Sequence, residues 1–361
     1  MVVIWAQGLS MTESPHAKAV RRWQLVQEKK SKIVCRSIWL LITRKCPLRC
    51  RHCYFCGSPD GESMTVEQAQ NMVKHLPAGV ETIGISGGEP FTMPKLLRKT
   101  LESIQERNFP DLTSVTLQTL GFWASDRKKT IRILKELIEL GANSFYIYGV
   151  DHWHSEQGLN LKNQEMLISV LKDEFGAYQP DRASSVEALF TKGRITFSRA
   201  HRTGKILPIG RGAWATKPEE QQEIDTSFDC RIAKGFLYLN PDGYIYTVNY
   251  NGEVHYCTHL TAPALGNIFD RPLVQLLKNA RKRKVFRVLN EGNIVDYAEN
   301  VCGIPREEAE AGIRQLGKCV YCGKITSQLM ANRPDEPIMF SVFRREREIS
   351  KVNIANFSEM Q

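Results

Sequence analysis

Residues 37–53 read Ser37-Ile-Trp-Leu-Leu-Ile42-Thr-Arg-Lys-Cys46-Pro-Leu-Arg-Cys50-Arg-His-Cys53. The run Ser37–Ile42 is short and almost wholly apolar, the pattern of a strand buried on both faces of a parallel sheet. Three cysteines follow at once, spaced C-x3-C-x2-C. Three thiolates on one short loop can converge on a metal cluster, because iron–sulfur clusters are held by cysteine sulfurs on such loops. Zinc in a structural site takes four ligands, usually as two separated pairs. The spacing therefore favours a four-iron cluster held at three irons, with the fourth open to a ligand.

Outward from this strand, strand and helix signals alternate. Thr65-Val-Glu-Gln68 is a capping box opening a helix to about Leu76, which Pro77 stops. Thr82–Ser86 is a second strand ending in Gly87-Gly88, and Pro94 opens a helix running to about Arg107. Val115–Thr119 is a third strand. Asp126 caps a helix with apolar residues at Ile131, Leu134, Leu137 and Ile138, ended by Gly141. Phe145–Tyr148 is a fourth strand, and a helix spans about Leu161 to Phe175. Repeated units of this kind build a parallel sheet covered by helices. Arg194–Arg199 and Lys205–Ile209 add two strands with too little chain between them for a crossover helix. The expected fold is α/β, a partial (β/α)6 TIM-like barrel over residues 36–215, with an N-terminal helical extension (1–35).

Polar Thr216–Asp225 reads as a linker, bounded at 216–227. Beyond it Phe236–Leu239, Tyr244–Val248 and Glu253–Tyr256, separated by Pro241-Asp-Gly243 and Asn251-Gly252, read as hairpins with tight turns. Residues 228–330 are expected to form a smaller α+β cluster-binding domain, followed by a tail (331–361).

Composition agrees with a folded chain: 361 residues, 42% hydrophobic and 24% charged, enough for a sizeable core. No apolar run is long enough to span a bilayer, and the N-terminus lacks a secretory pattern, so the expected location is cytoplasmic. The net charge of +10 admits anionic partners. Its densest run, Arg281–Lys284, reads as a solvated helix face, and without any nucleic-acid-reading motif no nucleic-acid partner is expected. Ten cysteines in a reducing compartment are hard to explain as disulfides, and their clustering points to metal.

The Cys46-Pro-Leu-Arg-Cys50-Arg-His-Cys53 loop, together with Gly87-Gly88-Glu89-Pro90 one strand–helix unit later, resembles the signature of the radical S-adenosylmethionine (radical SAM) superfamily. The resemblance implies that Cys46, Cys50 and Cys53 ligate a [4Fe-4S] cluster whose open iron is chelated by S-adenosylmethionine. It also implies that the Gly87–Pro90 turn grips the methionyl amine through its carbonyls and Glu89. A one-electron donor such as flavodoxin or ferredoxin would reduce the cluster. The cleaved cofactor would yield a 5′-deoxyadenosyl radical that abstracts substrate hydrogen. His52 stands where the family usually has an aromatic residue, and would pack near the adenine. Thr119 and Gly121 match part of a Thr-Asn-Gly turn, with Leu120 in place of the asparagine. Arg211, in Ile209-Gly-Arg-Gly212, matches a turn that meets a carboxylate, or forms a surface ion pair. Asp151 and His154, in Asp151-His-Trp-His154 past the fourth strand, are candidate acid–base or substrate-gripping groups, against a plain cap with packed aromatics.

Cys230, Cys257, Cys319 and Cys322 resemble the ligands of the auxiliary-cluster extensions called SPASM and Twitch, since Gly252–Cys257 has the Gly-x4-Cys spacing. No cysteine follows Cys322, so the shorter Twitch type with one auxiliary [4Fe-4S] cluster fits better. A zinc site on the same cysteines, with His255 or His259, is the alternative. Cys302 is left as an exchangeable ligand, a hydrogen-atom donor or a structural thiol. Cys35 and Cys56 read as packed thiols. The expected substrate is a natural-product precursor, either a sugar or aminoglycoside-like small molecule or a ribosomal peptide. The forty-five residues before Cys46 leave little room for a leader-binding domain and favour the small molecule. Protein-activating or protein-modifying enzymes of the same superfamily, and a structural zinc protein that binds nucleic acid, are the alternatives.

Overall fold

The computed structural model describes residues 37–149, 152–179, 195–199, 212, 226–228, 230, 245–257 and 259–332. Five strands follow one another in chain order across a parallel sheet: β1 (Ser37–Thr43), β2 (Thr82–Gly87), β3 (Ser114–Thr119), β4 (Ser144–Ile147) and β5 (Thr196–Arg199). Between them run α1 (Val66–Lys74), α2 (Pro94–Arg107), α3 (Arg127–Glu139), α4 (His152–Glu156) and α5 (Leu161–Phe175). The helix starts are set by local chemistry. Thr65 and Gln68 form the full reciprocal capping box, and Asp126 accepts the Lys129 N–H. Asn160 caps α5 through the Lys162 N–H, and left-handed Gly176 ends it.

A sixth parallel strand, β6 (Ile245–Val248), pairs with β1 on the side away from β2, and β7 (Val254–His255) pairs antiparallel to it. The unclosed sheet therefore has the order β5-β4-β3-β2-β1-β6-β7. This hairpin carries Ile245–Val248 and the Glu253–Tyr256 run, and it extends the main sheet. The reason is the edge of β1, whose residues from Leu40 to Thr43 are all buried. Such a strand cannot leave a row of backbone groups unpaired.

The chain then packs α6 (Leu273–Ala280), α7 (Lys284–Asn290), α8 (Ile294–Tyr297) with its π-helical continuation Ala298–Cys302, α9 (Arg306–Leu316) and α10 (Lys318–Asn332). One contiguous core joins Ile38 to Leu329, so these helices share the interior of the sheet. Backbone and side-chain bonds from Leu273 N to His75 O (3.1 Å) and from Asn71 Nδ2 to Phe269 O (2.9 Å) tie them to α1. The basic run lies between α6 and α7, where Arg283 covers the Phe286 ring at 5.0 Å. Among the described residues no helix is long and apolar enough to cross a membrane. The expected strand Lys205–Ile209, the hairpin residues 236–243, the N-terminal extension with Cys35, and the tail beyond 332 lie outside the described residues.

Candidate active site

Because β1–β6 are parallel, their C-terminal ends share one edge of the sheet, where the connecting loops meet. The cysteine loop leaves β1 there and folds back on its own start: Cys46 N donates to Ser58 O (2.9 Å) and Ser58 N to Arg44 O (3.1 Å). Inside the loop, Cys53 N donates to Cys50 O (3.1 Å), and the Gly57 N–H points at Cys53 Sγ (3.3 Å). Buried Arg44 donates to Cys56 O (3.1 Å) and lies over the Tyr250 ring, which pins the end of the loop. Cys56 itself is buried with left-handed φ, as the expected packed thiol.

Cys46 and Cys50 are buried and Cys53 is half-buried. Burial pushes the Cys46 thiol far up, and the charges of Glu89, Cys53 and Cys50 push it further, against a lowering backbone hydrogen bond from Leu48. Cys46, buried and with Cys50 and Cys53 opposing its ionisation, needs a cationic partner to become a thiolate. An iron–sulfur core is such a partner, so the donor set fits the cluster.

The Gly87–Pro90 turn is docked onto the loop's entrance. Gly88 N donates to Thr43 O (2.6 Å) and Glu89 N to Lys45 O (2.8 Å). A Cβ on Gly88 would stand 2.4 Å from Lys45 O, and one on Gly87 (φ 133°) 2.2 Å from Thr43 O. Both glycines are there because two backbones touch.

Glu89, 1% exposed, turns its carboxylate inward. It accepts from Leu120 N (2.6 Å), Thr119 Oγ1 (3.0 Å) and Phe91 N (3.2 Å). Burial nevertheless raises its pKa to about 7, against these three bonds. The Thr119 hydroxyl also accepts from Gly121 N and Trp123 Nε1, both at 3.0 Å, so its hydrogen-bonding capacity is filled. Glu89 and Thr119 thus build the floor of the site, with part of one carboxylate left for a ligand.

Short helix α4 follows β4, and it brings buried His154 to the cysteine loop. The His52 and His154 rings meet edge-on at 4.7 Å, with Trp153 at 5.3 Å from His52. One donor atom each of Cys50, His52 and His154 lie within 4.8 Å of one another. Leu48, Leu120 and Leu159, with Phe122 and Tyr148, form the apolar surround of Cys46 and Cys50. Asp151 and Arg211 lie outside the described residues.

Sequence reasoning missed Gln164. This fully buried side chain donates to Leu120 O (2.8 Å) and Tyr148 O (2.5 Å), bracing the ends of β3 and β4. The available signal was a polar residue on the apolar stripe of α5, in line with Leu167 and Leu171.

A second set of thiols lies on and around α10. Cys322 is fully buried, and burial first, then the charges of Cys257, Cys230 and Cys319, push its thiol well up. Cys257 and Cys322 both reach Thr261, Cys257 Sγ through its hydroxyl (3.6 Å) and Cys322 Sγ through its carbonyl (3.8 Å). Cys319 and Cys322, three residues apart, share a face of α10's first turns. Cys257 follows β7, and the Cys230 backbone N–H is anchored on Gly292 O. His259 Nδ1 lies 3.5 Å from Cys319 Sγ, and its burial, then Lys318, lower its pKa. His255 faces Glu253 at 3.5 Å.

A thiol loop at the C-terminal edge of an open parallel sheet, with a glycine turn docked on it, places the candidate site of a partial barrel at its strand ends. Residues 40–187 match the model of the Radical SAM superfamily, and this segment is a radical SAM domain. The family implies a [4Fe-4S] cluster and S-adenosylmethionine at this edge. No curated protein matches the chain by sequence. Among solved structures, the chain is similar to BtrN in complex with AdoMet and 2-DOIA (15% identity, 72% of this chain, 89% of that one, TM-score 0.40). It is also similar to anSMEcpe with bound AdoMet (14%, 84% and 98%, TM-score 0.41). Streptococcus suis SuiB bound to S-adenosylmethionine is a third (12%, 74% and 72%, TM-score 0.37).

Proposed function

We propose that this chain is a radical SAM oxidoreductase or epimerase with one auxiliary cluster, acting on an unactivated C–H bond of a natural-product precursor. The substrate class is a sugar or aminoglycoside-like small molecule or a ribosomal peptide, and the outcome is oxidation, epimerisation or cross-linking. The observation that carries this reading is the presence of two separate thiol groups in one fold. Cys46, Cys50 and Cys53 lie on the loop after β1, while Cys257 and Cys322 meet at Thr261, with Cys319 one turn before Cys322 on α10.

When bound and reduced by a donor such as flavodoxin or ferredoxin, the first cluster supplies the electron that cleaves S-adenosylmethionine to a hydrogen-abstracting 5′-deoxyadenosyl radical. The protein's own work is orientation and exclusion of water. The Gly87–Pro90 turn offers backbone carbonyls and the remaining Glu89 lone pair to the cofactor's amine. Leu48, Leu120, Leu159 and Tyr148 keep the edge apolar. His52 and His154 border the Cys50 side of the site, where an imidazole can hold or move a proton. Asp151 and Arg211 are proposed as substrate- and carboxylate-facing partners.

The test is metal analysis of anaerobically purified protein beside a Cys46→Ala, Cys50→Ala, Cys53→Ala variant. Two four-iron clusters predict about eight irons falling to about four. About four falling to none removes the auxiliary cluster. The His259–Cys319 contact gives zinc at the C-terminal group a specific basis, and zinc there at one per chain would establish that second reading.

A further inference from the structure

Cys50 belongs to a second donor set besides the three-thiol loop. One donor atom each of Cys50, His52 and His154 lies within 4.8 Å of the other two, and all three residues are buried. Two separate stretches of chain hold them there. Cys53 N donates to Cys50 O (3.1 Å), which closes the turn that carries His52. The His154 carbonyl accepts from Gln157 N and Leu159 N, both at 3.1 Å, so the backbone under that imidazole is fixed. Arg49 N to Gln157 Oε1 (3.4 Å) and the Arg51–Glu156 ion pair (3.7 Å) join the two stretches. Trp153 backs the His52 ring at 5.3 Å, and His154 meets it edge-on at 4.7 Å.

A thiolate with two imidazoles is a donor mixture of tetrahedral zinc, and three protein ligands leave the fourth position open to water. With zinc–nitrogen bonds of about 2.0–2.1 Å and a zinc–sulfur bond of about 2.3 Å, tetrahedral donors stand about 3.3–3.6 Å apart. Donor atoms already within 4.8 Å reach that spacing by small side-chain rotations. The ligands of a four-iron cluster sit on different irons and stand further apart, so this set suits a single ion. We propose that the cluster-free chain binds one zinc ion through Cys50, His52 and His154, with water as the fourth ligand. The Cys50 proton passes to solvent as its sulfur bonds the metal. Cys46 and Cys53 take no part. Cys50 cannot serve two centres, so zinc here excludes the first cluster, a consequence that rests on the cluster-ligand reading above.

The experiment titrates full-length, cluster-free, reduced protein with cobalt(II), a coloured stand-in for zinc, counting bound metal and recording the thiolate-to-cobalt band. Wild type is expected to bind about one cobalt more than Cys50→Ala, His52→Phe or His154→Gln, and zinc should displace it. Cys46→Ala and Cys53→Ala should keep the wild-type count. The difference spectrum between wild type and Cys50→Ala removes the C-terminal thiols and should carry the intensity of one thiolate. Equal counts in wild type, Cys50→Ala and both histidine variants would overturn the proposal. So would a loss in Cys46→Ala and Cys53→Ala, or a difference band of three thiolates, which needs no histidine variant to read. On reconstitution with iron and sulfide, zinc-loaded wild type should take up about four fewer irons than zinc-free wild type. Equal uptake would overturn the competition. Zinc-free wild type that places no iron on this loop would overturn the first-cluster reading, and the cobalt count would still decide the zinc site.

Discussion

The Glu89 carboxylate accepts the Leu120 backbone N–H at 2.6 Å, and this bond fastens the turn after β2 to the turn after β3. Its other oxygen takes the Thr119 hydroxyl and the Phe91 N–H, so the carboxylate serves three donors from two turns. Glu89→Gln keeps the shape but sets an amide donor against one of these N–H groups. A mispaired buried donor costs about 1–3 kcal/mol. Urea unfolding of the cluster-free protein should show that loss. Thr119→Ser should stay near wild type, whereas Thr119→Val strands Gly121 N and Trp123 Nε1 as well, and should lose about 3 kcal/mol.

The same carboxylate gives the protein a pH dependence. Glu89 rises from 4.5 to about 7 because it is buried. The folded state therefore holds a proton that the unfolded chain releases. Stability from this group is fully present below pH 4.5, declines as pH rises and is lost above about 7. A shift of this size corresponds to about 3 kcal/mol. Unfolding midpoints of cluster-free protein between pH 5 and 8 should fall with pH in wild type. In Glu89→Gln the slope should flatten, and an unchanged slope would assign it to another group.

Gly88 makes a sharper test of the docking between the glycine turn and the cysteine loop. A methyl at this position would meet the Lys45 carbonyl at 2.4 Å, and backbone cannot swing aside as a side chain can. Gly88→Ala should push the two loops apart and remove about four irons, the content of one cluster. Gly79→Ala, whose new methyl finds only Asp111 at 3.7 Å, should keep the full iron content. Equal iron in both variants would show that the turn does not hold the loop.

Local chemistry made most of the barrel legible. The Thr65 box, the Asp126 cap and the continuous apolar strands act within a few residues, and β1 to β5 with their helices appear close to where the pattern puts them. The cysteine spacing was equally local. What escaped was pairing over distance. Nothing in Ile245–Val248 says that its partner is Ser37–Leu40, some two hundred residues earlier, because a parallel edge is chosen by which strand lacks a neighbour. Gln164 escaped for a related reason. Its role exists only once Leu120 O and Tyr148 O have been brought beside α5. Likewise, Thr119 was legible as part of a turn, but its acceptance from Trp123 was not.

Leu260 joins the two thiol groups and carries the last prediction. It follows Cys257 by three residues, donates its N–H to Cys257 O (3.0 Å), and sits in the left-handed region at φ 58°, where a leucine is strained. Its side chain is 2% exposed and packs with Phe55, Tyr250 and Leu41, against which Cys53 also rests. The Cys46–Cys53 loop is thus wedged on the turn that follows Cys257. Leu260→Ala should cost about 2–5 kcal/mol of packing while keeping the strain. Leu260→Gly removes one carbon more but releases about 1–2 kcal/mol of backbone strain. The glycine variant should therefore be at least as stable as the alanine variant, the reverse of the order seen in ordinary helix or strand positions. Unfolding of both variants checks this, and iron content should fall in Leu260→Ala. A glycine variant clearly weaker than alanine would show that Leu260 bears no strain, and the wedge would then be packing alone.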